Sequence, residues 1–166
     1  MSIYEDAVEY AHRSGAISIL DTCAGDGSFA LRAKERYPDA RIIAIEPDGA
    51  SFAALMQTIQ KHALAGVISV QAKVVVVPGS GNGAPRISLA DALEKLGGRC
   101  DLLRIVGTEL IETLAQETAE RVGAILCETD GDDPSQALRR LGFKVVATGP
   151  MPDGKITFAV RHLILC

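Results

Sequence analysis

ISILDTCAGDGSFAL, residues 17–31, decides how the rest of the chain is read. Ile17–Leu20 is a short apolar run of strand length. Asp21 stands at its end, a small-residue loop runs from Asp21 to Gly27, and Ser28 to Arg36 has helical patterning with Phe29, Leu31 and Ala33 available for packing. A strand, a glycine loop and a helix in that order place backbone N–H groups and one carboxylate at the carboxyl edge of a sheet. Gly25 and Gly27 accept backbone angles closed to other residues and let a ligand come close. The stretch therefore predicts a cofactor-binding loop.

The next apolar run supports this. Arg41–Glu46 (RIIAIE) is apolar almost throughout, as a strand covered on both faces should be. Glu46 at its end can accept hydrogen bonds from both ribose hydroxyls of a nucleoside. The plain alternative is a tight turn followed by a surface acid. Gly25-x-Gly27-x-x-Ala30 also satisfies the dinucleotide pattern, but there the helix N-terminus faces a pyrophosphate. Asp21 lies four residues ahead of Gly25. An anion is unfavourable beside a pyrophosphate and favourable beside the ammonium and sulfonium of S-adenosylmethionine (SAM). SAM is the expected cofactor.

Outward from this core, Ser2 to Arg13 reads as a short amphipathic helix closed by Gly15. Pro47 fits the first turn of a helix reaching about His62. Val67 to Val77 should contain a third strand, and Pro78–Pro85 is a loop rich in Gly and Pro. Ser88 and Asp91 resemble a capping box opening a helix that ends at Gly97 or Gly98. Asp101–Val106 is the fourth strand, Thr108 to Ala119 a helix, and Gly123–Glu128 the fifth strand. Asp133 and Pro134 open a helix closed by Gly142. Phe143–Ala147 and Ile156–Leu165, joined through MPDGK, read as a hairpin. Strands alternating with helices predict one α/β domain over residues 1–166, its core over 17–166. The expected sheet is Rossmann-like and mostly parallel, with helices on both faces and an antiparallel last strand.

Composition narrows the function classes. The net charge is −4 and no basic run occurs, which argues against a nucleic-acid surface. There is no Trp, so a base-stacking platform is poorly supplied. Cys23, Cys100, Cys127 and Cys166 form no metal-ligand spacing with the three His, so no metal is expected. No apolar run approaches about 20 residues and the N-terminus lacks the core of a signal peptide, which predicts no membrane span and a cytoplasmic location.

With these segments in view the chain resembles class I SAM-dependent methyltransferases, and more narrowly the FkbM family. ISILDTCAGDGSFAL and ARIIAIEPDGASFAALMQTIQKH are similar to the first two segments of the superfamily. SVQAKV, SLADAL, DLLRIVGTEL, GAILCETD and LRRLGFKVV follow in family order, and DLLRI-x-GTEL points to FkbM. The resemblance implies a seven-stranded sheet, SAM above the first two strands, and O-methyl transfer to a hydroxyl of a small molecule or sugar. By position, Asp21, Cys23, Gly25 and Gly27 would line the methionine part of SAM. Glu46 would hold the ribose, Pro47 and Asp48 would lie near the adenine, and Gln71 and Ala72 near its other edge. Cys23 takes the place of a family Gly. After strand four the family reads Lys-Ile-Asp-Val-Glu-Gly-Ala-Glu where this chain reads Arg104, Ile105, Val106, Gly107, Thr108, Glu109. Two acids of the acceptor side are thereby missing.

Methyl transfer depends mostly on in-line positioning, with a general base assisting a weakly acidic alcohol. Glu109, Glu128 and Asp130 fall at or just past strand ends, and Glu109 or Glu128 is the candidate base. A solvated acidic rim is the alternative. His12 and His62 fall on predicted helices, His162 in the last strand, and Arg139, Arg140 and Arg161 most simply solvate a surface. Cys23 near a helix N-terminus invites a lowered pKa. Two other functions stay open: a SAM-binding domain that no longer catalyses, and an NAD-dependent oxidoreductase. An open cleft could also borrow a wall from a second copy in a homodimer.

Overall fold

The structure is a computed structural model and describes residues 3–12, 17–75 and 85–161. Ser2, Arg13, most of the 78–85 loop, His162, the end of the last strand and Cys166 lie outside the described residues.

The first helix, α1 (Ile3–His12), precedes β1 (Ser18–Asp21), α2 (Ser28–Arg36), β2 (Arg41–Ile45), α3 (Gly49–Lys61) and β3 (Val67–Val70). A small parallel pair follows, β4 (Lys73–Val75) and β5 (Arg86–Ser88). Then come α4 (Leu89–Lys95), β6 (Cys100–Val106), α5 (Glu109–Thr113), α6 (Gln116–Ala119), β7 (Val122–Thr129), α7 (Ser135–Arg140), β8 (Phe143–Met151) and β9 (Gly154–Arg161). The main sheet has seven strands in the order β3-β2-β1-β6-β7-β9-β8. All neighbours are parallel except β9, which runs antiparallel to both β7 and β8. This is the expected Rossmann-like architecture with a reversed last strand.

The central strands read as continuous apolar runs because both faces are covered. On one face, Ala7, Val8 and Ala11 of α1 and Phe29, Ala30 and Ala33 of α2 pack on Ile19, Ile42, Leu102 and Leu126. On the other, Leu89 and Leu93 of α4, Ile111 of α5 and Leu138 of α7 pack on Leu20, Ile43, Leu103 and Ile125. At the amino edge, Asp101 Oδ2 accepts from both Ser18 N (2.7 Å) and Ser18 Oγ (2.8 Å), locking β1 to β6.

Several boundaries differ from the sequence reading. Pro47 lies outside the helix, because Asp48 is the better cap: its side chain accepts from Ser51 N and α3 begins at Gly49. The described part of the expected Val67–Val77 run, to residue 75, divides between β3 and β4, which belong to different sheets, and its last two residues lie outside the described residues. The helix expected over Thr108 to Ala119 breaks into α5 and α6 at Leu114, whose backbone is extended. That break lets Ile111, Leu114 and Ala119 all reach the core. The cap of α7 is Pro134, with Asp133 Oδ1 accepting from Ser135 N just outside it. Among the described residues no helix is long and apolar enough to cross a membrane.

Gly27, the cap residue of α2, has φ +83°. A Cβ there would lie 2.8 Å from Leu55 Cδ1 and 3.4 Å from Thr58 Cγ2, so this glycine lets α2 and α3 close together. Gly27→Ala should cost about 1–3 kcal/mol, combining a left-handed non-glycine backbone with crowding of Leu55. Urea unfolding with an unchanged m-value checks this, and a loss under about 0.5 kcal/mol would remove Gly27 from the packing.

Candidate functional site

The loop after β1 is pinned from both sides by its neighbours. Thr22 N donates to Arg104 O at 3.0 Å, and Ala24 N donates to Ile45 O at 2.9 Å. Glu46, only 4% exposed, holds the loop further. Its Oε2 accepts from Gly25 N at 2.8 Å and its Oε1 from Asp48 N at 2.9 Å. Each oxygen keeps a lone pair for a further donor. Gly25 has φ +57°, and a Cβ built on it would meet nothing within 4 Å. The backbone of the loop thus faces open space at the carboxyl edge of β1, beside Glu46 at the end of β2.

Asp21 is fully buried beneath this loop, and it is paired. Arg104 on β6 donates from Nη1 to Asp21 Oδ1 at 2.9 Å and from Nε to Glu128 Oε1 at 2.7 Å. The same Nη1 donates to Cys23 O at 2.9 Å, and the guanidinium lies over the Phe29 ring, 5.2 Å from its centroid. β1, β6 and β7 are adjacent in the sheet, so strand order and register assemble the cluster. Among the described residues, Asp21 Oδ2 is buried without a hydrogen-bond partner. Burial pushes Asp21 above the ordinary carboxylate range against the pull of Arg104, because one guanidinium is shared between two carboxylates. Burial alone would lower Arg104, but Asp21 and Glu128 together hold it above its usual value. Tyr4 on α1 faces the same group: burial, then Glu128, raises its hydroxyl.

The expected site residues separate into two groups. Asp21, Cys23, Gly25, Gly27, Glu46, Pro47 and Asp48 lie together on the β1 and β2 loops. Gln71 is exposed after β3, and its Nε2 lies 3.5 Å from where a Cβ on Gly49 would stand. Ala72 is buried among the core residues of the α4 face. Glu109 is exposed at the first position of α5. Glu128 is drawn to Arg104 and away from a free role. The expected lowering of Cys23 is not found: burial, then Glu46 and Asp21, pushes the thiol up, since acids surround it. Cys100 and Cys127 are buried and raised as well, Cys127 to about 12.

Sequence reasoning missed Arg104 and Tyr4 as members of the site. Arg104 carried a signal: a cation between Leu103 and Ile105, in a strand with both faces covered, requires a buried anion. Tyr4 carried none beyond its helical position. A groove of about 690 Å³ lies between α1 and α2, with Tyr4, Val8, Phe29 and Arg32 among its walls. It runs along the flank rather than over the loops, so the loops are the better candidate site.

No known family profile matches the sequence, and no curated protein matches it. Solved structures do. A precorrin-6y C5,15-methyltransferase from Geobacter metallireducens matches with a TM-score of 0.67 at 16% identity, over 96% of this chain and 87% of that one. An O-methyltransferase family protein from Burkholderia thailandensis matches with a TM-score of 0.61 at 16% identity, over 96% and 55%. A Streptococcus pneumoniae protein provisionally described as a tRNA (m1A22) methyltransferase matches with a TM-score of 0.62 at 16% identity, over 100% and 73%. The chain thus spans little more than half the length of the second. At these identities the likeness concerns architecture, and it establishes that the chain has the Rossmann-like fold found in SAM-dependent methyltransferases.

Proposed function

We propose that this chain binds SAM at the β1 and β2 loops and transfers its methyl group to a hydroxyl of a small molecule or sugar. The observation that carries the reading is the pairing of a partnerless buried oxygen, Asp21 Oδ2, with the open backbone of Gly25 and the fixed carboxylate of Glu46. A buried acceptor without a donor is costly, and a ligand ammonium would supply one. The methionine part would lie along Asp21, Cys23, Gly25 and Gly27, and Glu46 would accept from the ribose hydroxyls through its remaining lone pairs. Pro47 and Asp48 would border the adenine on one edge, Gln71 and Ala72 on the other. When bound, SAM supplies a methyl group on a sulfonium. The chain's own part is to hold the acceptor oxygen in line and to keep water away.

A hydroxyl acceptor rests on the FkbM-like run DLLRIVGTEL, and a small one on the net charge of −4 and the lack of Trp. Glu109 is the better-placed base, because Glu128 is committed to Arg104. That commitment also favours a second reading, a SAM-binding domain without transfer.

Calorimetry with SAM, S-adenosylhomocysteine (SAH) and NAD separates these readings. SAM binding with methyl transfer across a panel of hydroxyl compounds supports the first, and SAM binding without transfer supports the second. Binding of NAD with none of SAM removes both.

A further inference from the structure

We infer that the acceptor is a phenol, its ring held in the groove between α1 and α2 and its hydroxyl presented at the groove's upper end. The inference rests on the SAM reading above and names the acceptor class.

The two helices run side by side in the same direction. Tyr4 and Phe29, in their first turns, meet with ring centroids 6.2 Å apart, and Glu9 and Arg36, in their last turns, pair at 3.5 Å. Because α2 starts directly after the glycine loop, the Tyr4–Phe29 end opens at the carboxyl edge of the sheet. There the Arg104 guanidinium lies over Phe29 and the Tyr4 hydroxyl faces Glu128. The groove is thus continuous with the candidate site, and its volume of about 690 Å³ suits a small organic ligand.

Its walls choose among hydroxyl compounds. Val8, Phe29 and Ala33 line it with apolar surface, and the Tyr4 ring offers an aromatic partner. Leu102, Arg104 and Val106 alternate onto this face of β6, and Val106 is 46% exposed at the carboxyl edge. A sugar would bring several hydroxyls against apolar groups, each costly without a partner. A ring with a single hydroxyl would not.

Acidity points the same way. Glu128 is committed to Arg104, and Glu109 opens α5, whose Ile111 packs on the opposite face of the sheet. A hydroxyl in this groove therefore has little help from a base, which matters least for a phenol, with a pKa of about 10. The oxygen forms its bond to carbon as the S–CH3 bond breaks, sulfur keeps the bonding pair, and the phenol proton passes to water.

Calorimetry without SAM reads the groove by itself. Naphthol should bind the wild type and methyl glucoside should not. Tyr4→Ala should weaken naphthol binding about tenfold, whereas Tyr4→Phe, which keeps the ring, should stay within about threefold of wild type. Should Tyr4→Ala fail to fold, NMR of the wild type decides: the ring resonances of Tyr4 and Phe29 should shift with naphthol and not with methyl glucoside. With SAM added, naphthol should be methylated and cyclohexanol, a ring alcohol of low acidity, should not. Naphthol affinity unmoved in Tyr4→Ala, or transfer to methyl glucoside with none to naphthol, overturns the inference. Absence of SAM binding overturns the SAM reading itself, whereas SAM binding without naphthol binding overturns the phenol alone.

Discussion

Arg104→Met should destabilise the protein by about 3–5 kcal/mol at neutral pH, because it leaves Asp21 and Glu128 without their cation. Asp21 is fully buried, its Oδ2 has no partner among the described residues, and its Oδ1 would keep only the 3.3 Å bond from Cys23 N, which carries no charge to replace the guanidinium. For a chain of this size that loss lowers Tm by roughly 10 °C or more. The deficit should depend on pH with a definite sign. Removing the guanidinium raises the folded pKa of Asp21 still further above its unfolded value. A raised carboxylate binds its proton more tightly when folded, so its contribution is intact below the ordinary Asp pKa and lost as pH rises through the folded value. Denaturation of Arg104→Met should therefore show a small deficit near about pH 4 and the full one at pH 7. The triple variant Asp21→Asn, Arg104→Met, Glu128→Gln removes the charges together and should recover most of the loss, since the penalty lies in unpaired ions. A single variant within about 1 kcal/mol of wild type would show that the cluster contributes little to folding.

The same cluster shows where the sequence is legible. The loop, its two glycines and the acids at the ends of β1 and β2 are readable because each is local: a strand runs out, a small residue follows, a helix begins. The order of the sheet follows from alternation of strands and helices and from the handedness of parallel crossovers. Asp21 could be placed from its own segment, but its partner lies 83 residues away and faces it only once β1 and β6 are adjacent. Reading Asp21 as an open anion was thus natural and incomplete. The family pattern draws the eye to the acids missing after Ile105, whereas Arg104 itself, in a covered strand, already requires an anion. The break at Leu114 was illegible for a related reason. No glycine or proline marks it, and only the demand of the core for Ile111, Leu114 and Ala119 sets it.

Glu46→Ala should weaken SAM binding by roughly 1–3 kcal/mol and also destabilise the free protein, because one carboxylate serves both purposes. Its Oε2 and Oε1 accept from Gly25 N and Asp48 N, so removal leaves two loop amides without acceptors. Glu46→Gln is not a gentle substitute. Its carboxamide offers one oxygen, and the NH2 must then face one of those two N–H groups, donor against donor. A weakened affinity alone would not separate a disordered loop from a lost ribose contact. An analogue of SAM lacking both ribose hydroxyls makes the distinction. If Glu46 holds the ribose, wild type should lose affinity for the analogue about as much as Glu46→Ala loses for SAM. The variant should then no longer tell the two ligands apart, as a double-mutant cycle requires of a single contact. If the variant still prefers SAM by the wild-type margin, Glu46 anchors the loop and the ribose is bound elsewhere. Thermal unfolding of the variant without ligand measures the anchoring by itself, so the two roles of this carboxylate are read on independent scales.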